Sequence, residues 1–154
     1  MGDLPAAARH LETLTPRDDI LLSRLALTYI HLGDLDAAKN CLTTLSTPTP
    51  LTPLLTMASV NYSAAISEWR ALPSSDLVTQ NLAVCLFYIG KVDETVELLE
   101  GLVNEKGRSF HALTFNLATV FELCSEKGRE RKGELVERVE REGMGERGAA
   151  DFKL

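Results

Sequence analysis

Leu25-Ala26-Leu27-Thr28-Tyr29-Ile30-His31-Leu32-Gly33-Asp34-Leu35-Asp36-Ala37-Ala38-Lys39-Asn40-Cys41-Leu42 is the stretch that decides how this chain folds. Its informative positions are Leu25-Ala26, Tyr29, Gly33, Ala38 and Leu42, followed by Leu45 and Pro50. A second copy reads Leu82-Ala83, Leu86, Gly90, Thr95, Leu99 and Leu102. In both, a small residue lies three before a large apolar one. A Gly follows four later, a small residue five after that, and apolar residues four and seven further on. Residues three and four apart share one helix face, and Gly permits a sharp turn. The pattern predicts two short helices joined by a tight turn.

That is the plan of the tetratricopeptide repeat. The expected fold is all-α: a solenoid of tetratricopeptide-type helix hairpins, about three to four repeats with one shortened. It would form a single domain over 1–142, with a loose tail over 143–154. Such repeats hold partners, so the reading is a scaffold rather than an enzyme.

The remaining segments extend the pattern. Residues 4–14 read as a helix with Ala7, Leu11 and Leu14 on one face, matching the second helix of a repeat whose first is missing. Thr15-Pro16-Arg17-Asp18 reads as a helix start with Thr15 as cap. That helix runs to about Leu32, Asp34 caps the next, and the return helix ends near Leu45. Pro48, Pro50 and Pro53 stop it from continuing. Ala65, Trp69 and Leu72 take the places of Ala38, Leu42 and Leu45. Ala38 to Ala65 is 27 residues, seven short of a repeat. The loss falls on Leu51–Ser59, expected as a short or distorted helix. Further helices are expected at about 77–89, 92–105, 110–125 and 127–142, with Ser74-Ser75-Asp76 starting the first, Gly107 ending the second and Ser109 capping the third. The polar last helix suits a solenoid end. Small residues at Ala26, Ala38, Ala65, Ala83 and Ala118 let helices approach, and Trp69 reads as core.

Composition narrows the function. The 22 acids and 16 bases give a net charge of −6. Residues 126–154 hold eight of each, so the whole excess lies in 1–125. No basic face exists for nucleic acid or for anionic lipid. No apolar run reaches the roughly 20 residues that span a bilayer, so no direct membrane insertion is expected. Cys41, Cys85 and Cys124 are widely spaced, which suits buried thiols in a reducing compartment. His10, His31 and His111 lack ligand spacing, and no phosphate loop or metalloprotease pattern occurs. No catalytic residue, metal or cofactor is expected.

The first helix of each pair lines the concave side of such a repeat. The register places Leu27, Ile30 and His31 there, with Ile20 and Ser23. Gln80, Val84 and Phe87 follow from the third unit, with Leu77 and Tyr88. Phe115 and Thr119 come from the fourth, with Ala112 and Glu122. An apolar groove of this kind can receive a partner helix by its apolar face. The alternative is that curvature or a neighbour already covers it. Thr47, Thr49 and Thr52 each precede proline, as acceptors of proline-directed kinases do, although prolines also simply end helices.

Phe115-Asn116-Leu117-Ala118-Thr119-Val120-Phe121-Glu122-Leu123, then Lys132-Gly133-Glu134-Leu135-Val136-Glu137 and the ending Phe152-Lys153-Leu154, carry a resemblance. They resemble the C-terminal repeats of the twelfth-subunit family of the transport protein particle (TRAPP) complex. The likeness is best over 75–154 and fair over 1–50, and departs in the shortened middle. It implies a non-catalytic subunit of a longer kind, in a complex that tethers vesicles in ER-to-Golgi transport and autophagy. It further implies large TRAPP subunits as partners and a cytoplasmic place, peripheral to early secretory membranes. The other reading is a free-standing adaptor that binds a helix or peptide in its groove.

Overall fold

In the computed structural model, residues 3–45, 49–106, 111–124, 133, 134, 136 and 137 are described. They form eight helices of more than one turn: α1 (Leu4–Thr13), α2 (Asp19–Leu32), α3 (Leu35–Thr43), α4 (Leu51–Ala58), α5 (Tyr62–Ala71), α6 (Asp76–Tyr88), α7 (Val92–Lys106) and α8 (His111–Cys124). Among the described residues there is no strand. The all-α fold read from the sequence holds.

The chain divides into two compact units, Met1–Leu72 and Pro73–Leu154. In the first, α2 packs on α1, α3 and α4, α3 packs on α4, and α4 on α5. In the second, α6 packs on α7 and α8, and α7 on α8. Within each unit the second helix of a hairpin leans on the first helix of the following pair, α3 on α4 and α7 on α8, as in a helical repeat.

Three turns show the repeat at atomic level. The N–H of Gly33 donates to the Ile30 carbonyl (3.1 Å), and that of Asp34 to Tyr29 (3.0 Å). Val60 donates to Met57 (2.8 Å) and Asn61 to Thr56 (3.2 Å). Gly90 donates to Phe87 and Lys91 to Leu86, both at 2.9 Å. Five residues after each turn position stand Ala38, Ala65 and Thr95, all buried. Full burial in a close-packed interior favours a small side chain at these positions. Thr95 fits by spending its hydroxyl on backbone carbonyls, Lys91 at 2.9 Å or Ala83 at 3.2 Å.

The turn position itself is left-handed in every copy: φ is +78° at Gly33, +61° at Val60 and +80° at Gly90. A Cβ on either glycine would meet nothing within 4 Å, so glycine is required by the backbone and not by space. A β-branched residue in this region is an outlier. Val60→Gly is therefore expected to raise stability by about 1 kcal/mol, and Gly90→Val to lower it by about 1–2 kcal/mol, in urea titrations.

The cap of α2 corrects the sequence reading. Asp18, not Thr15, is the cap: its carboxylate accepts from Leu21 N–H at 2.8 Å. The helix opens at Asp19, not at Pro16. Ser75 caps α6 the same way, accepting from Val78 N–H at 3.3 Å. Asp18 to Gly33 and Ser75 to Gly90 are the same distance along the chain, which is the register a carboxylate at 18 satisfies and Thr15 does not. On α1 the buried residue is Ala8; Ala7 is exposed, because the helix turns a different edge to α2 than simple spacing suggested. The return helix α3 stops at Thr43, two residues early, where the hydroxyls of Thr43 and Thr44 both turn back to the Asn40 carbonyl.

The shortened unit is a true hairpin. α4 is eight residues against fourteen in α2, and regular rather than distorted. Trp69 of α5 is wholly buried, and its Nε1–H donates to Met57 Sδ of α4 at 3.2 Å. In the second unit, Leu99, Val103, Leu113, Leu117 and Phe121 build the core around Ala83. Val136 packs against it and residues 133, 134, 136 and 137 are helical, in line with the expected last helix. Gly107, Ser109, the rest of 127–142 and the tail 143–154 lie outside the described residues.

Candidate functional site

The expected concave residues sit on three helices. Leu27, Ile30 and His31 share one face of α2; Leu27 and His31 are exposed and Ile30 half-buried. Gln80, Val84 and Phe87 are half-buried on α6. Phe115 on α8 is 52% exposed, and Thr119 is half-buried one turn on.

Four of them meet. Val84, Phe87, Phe115 and Thr119 line one cavity of about 170 Å³, with Tyr88, Asn116 and Val120. Thr95 and Leu99 of α7 complete the lining. Gln80 lies outside it. The Phe87 and Tyr88 rings stand edge to face, centroids 6.3 Å apart. Among the described residues no charged side chain lines the cavity. The Thr119 hydroxyl donates to the Phe115 carbonyl at 2.8 Å and that of Thr95 is also engaged. Both hydroxyls are thus spent on backbone, and the space suits an apolar side chain rather than a charged group. Thr95 and Leu99 escaped the groove reading, because they belong to the second helix of their pair. The hint was the hydroxyl at 95, where the other copies carry alanine.

Elsewhere the chemistry is structural. Among the described residues no group of three His, Cys, Asp or Glu side chains could hold a metal ion. His10 and His31 are exposed on separate helices. Cys85 is wholly buried, and Cys41 is half-buried with its thiol pushed up by desolvation. A thiol held in that state is a poor nucleophile.

Tyr29 makes a long-range polar contact at the α1–α2 junction: its hydroxyl donates to Glu12 Oε1. Arg17 Nη2 reaches the Glu12 carbonyl at 3.4 Å. The hydrogen bond to Glu12, then burial, raises the Tyr29 pKa to about 12. A raised folded-state value means the proton is held more tightly in the folded chain. The stabilisation is whole below the ordinary tyrosine pKa of about 10 and is lost as pH rises through about 12. Absorbance titration should show Tyr29 ionising near 12, and Glu12→Gln should bring it down toward 10.

Comparison with known proteins follows this geometry. No family model and no solved structure matches the chain. The trafficking protein particle complex subunit 12 of Mus musculus is 35% identical over 72 residues, 46% of this chain and 9% of that protein. The protein of that name from Homo sapiens is also 35% identical over 72 residues, again 46% of this chain and 10% of its own length. The matched stretch spans about a tenth of these relatives. The chain, an array of helical hairpins, is thus similar over nearly half its length to trafficking protein particle complex subunit 12.

Proposed function

We propose that this chain is a non-catalytic scaffold subunit of a TRAPP-type vesicle-tethering complex in ER-to-Golgi transport and autophagy. The observation that carries the reading is the 35% identity over 72 residues to subunit 12 of the trafficking protein particle complex. The helical hairpins support it, since such arrays offer broad surfaces to other proteins. Its partners are the larger subunits of that complex, and its place is cytoplasmic, peripheral to early secretory membranes. No helix among the described residues is long and apolar enough to cross a membrane. The single tetratricopeptide solenoid over 1–142 belongs to the same proposal. Affinity capture with the full chain as bait, read by mass spectrometry, should recover other TRAPP subunits in near-stoichiometric amounts. Recovery of none overturns the reading.

A free-standing adaptor is the second reading, favoured by the apolar cavity around Val84, Phe87, Phe115 and Thr119. Leu27, Ile30 and His31 on α2 and Gln80 on α6 enter this reading through the repeat register alone. It expects one peptide or helix partner whose binding Val84→Asp abolishes while circular dichroism stays helical. Unchanged binding by Val84→Asp rejects it.

A further inference from the structure

We propose that Thr52 is a phosphorylation site for a proline-directed protein kinase, and that Lys39 holds the added phosphate. Two described threonines precede proline at the opening of α4: Thr49-Pro50 and Thr52-Pro53. They differ in availability. Thr49 Oγ1 accepts from Leu51 N–H at 3.3 Å and the residue is half-buried. Thr52 is exposed. The neighbouring hydroxyls are committed to backbone: Thr43 and Thr44 to Asn40, Thr56 to Thr52, and Ser59 to Leu55. Among the described residues Thr52 Oγ1 makes no such bond, so a kinase's base can take its proton without breaking one.

A proline-directed kinase binds its acceptor as an extended segment, so the first turn of α4 has to open. Among the described helices of its unit, α4 is the one whose N-cap residue supplies no side-chain cap. Pro50 gives no side-chain cap, and Pro53 contributes no N–H. What remains is long: Thr52 N to Thr49 O at 3.2 Å and Leu54 N to Pro50 O at 3.4 Å. The caps of α1 and α2, by contrast, close at 2.9 and 2.8 Å. Local opening is drawn from such weakly held ends.

The product has somewhere to go. Thr52 and Lys39 line the same depression of about 440 Å³, with Thr43, Thr56 and Ser59 among its other walls. Among the described residues Lys39 is the one charged side chain in that lining. In the transfer, Thr52 Oγ forms a bond to the γ-phosphorus of ATP while the bond to the ADP oxygen breaks. The hydroxyl proton leaves to the kinase's base. The phosphothreonine carries about −1.5 to −2 charges, which a facing ammonium pairs by charge-assisted hydrogen bonds. The consequence is a tighter α3–α4 junction in the shortest hairpin of the chain.

The test is phosphorylation of the full chain by a purified proline-directed kinase with ATP. Tandem mass spectrometry locates the phosphate, and amide exchange is followed over 54–57. Phosphate is expected on Thr52, with exchange there slowed roughly three- to tenfold. Lys39→Gln should accept the phosphate without the slowing, and Thr52→Ala should show neither. Absence of phosphate from Thr52 overturns the site. Slowing that persists in Lys39→Gln overturns the contact with Lys39.

Discussion

Trp69→Ala is expected to cost about 3–5 kcal/mol, the range for truncating a wholly buried aromatic side chain. Trp69 has no exposed surface, and its indole N–H is matched to Met57 Sδ. Alanine would leave a void between α4 and α5 and strip α4 of its main covering residue. α4 is only eight residues long, and a helix that short does not persist in water without packing. The loss should therefore exceed the void itself and appear as missing helix in far-ultraviolet circular dichroism as well as a lower urea midpoint. Met57→Leu separates the two contributions: it keeps the volume and removes only the weak sulfur acceptor, so a change below about 1.5 kcal/mol is expected. A loss under 1 kcal/mol for Trp69→Ala would mean that the hairpin does not depend on this packing.

Phe121→Ala is the counterpart in the second unit, with an expected loss of about 3–5 kcal/mol. Phe121 is buried on α8 in one cluster with Leu99 and Val103 of α7 and Leu113 and Leu117 of its own helix. The same helix carries Phe115, which faces solvent. Phe115→Ala should cost far less than Phe121→Ala, because its ring keeps half its surface in water. The contrast is the useful measurement. Equal losses in thermal or urea melts would show that Phe115 is core, and the cavity beside it would lose its standing as a binding surface.

Most of the helix plan follows from small residues at fixed distance from a turn. Ala38, Ala65 and Thr95 are fully buried, and that constraint writes itself into sequence as a small side chain. Gly33 and Gly90 announce their turns through backbone conformation. Val60 makes the same turn without the announcement, and the buried Ala65, Ile66 and Trp69 of the helix that follows are what mark the unit in sequence. The α2 cap misled because Thr15 and Asp18 are spaced like a capping box, while the observed acceptor is the second of the pair. The cavity was half visible. Repeat register aligned Val84 with Thr119 and placed Phe87 and Phe115 nearby. Register says which face a residue takes, not how closely the next helix closes over it, so Thr95 and Leu99 were absent from the expected lining.

The three left-handed turns have a practical side. Nothing crowds the glycine positions, and Val60 is 70% exposed on the same kind of corner. A cysteine placed at 60 can carry a dye without disturbing a core. The resident thiols offer little competition, Cys85 being sealed and Cys41 protonated and half covered. With Cys124 changed to serine and a second dye at Lys91, energy transfer would turn the corners of this chain into a molecular ruler. That ruler would read in solution how the hairpins line up along the chain, and how a captured partner rearranges them.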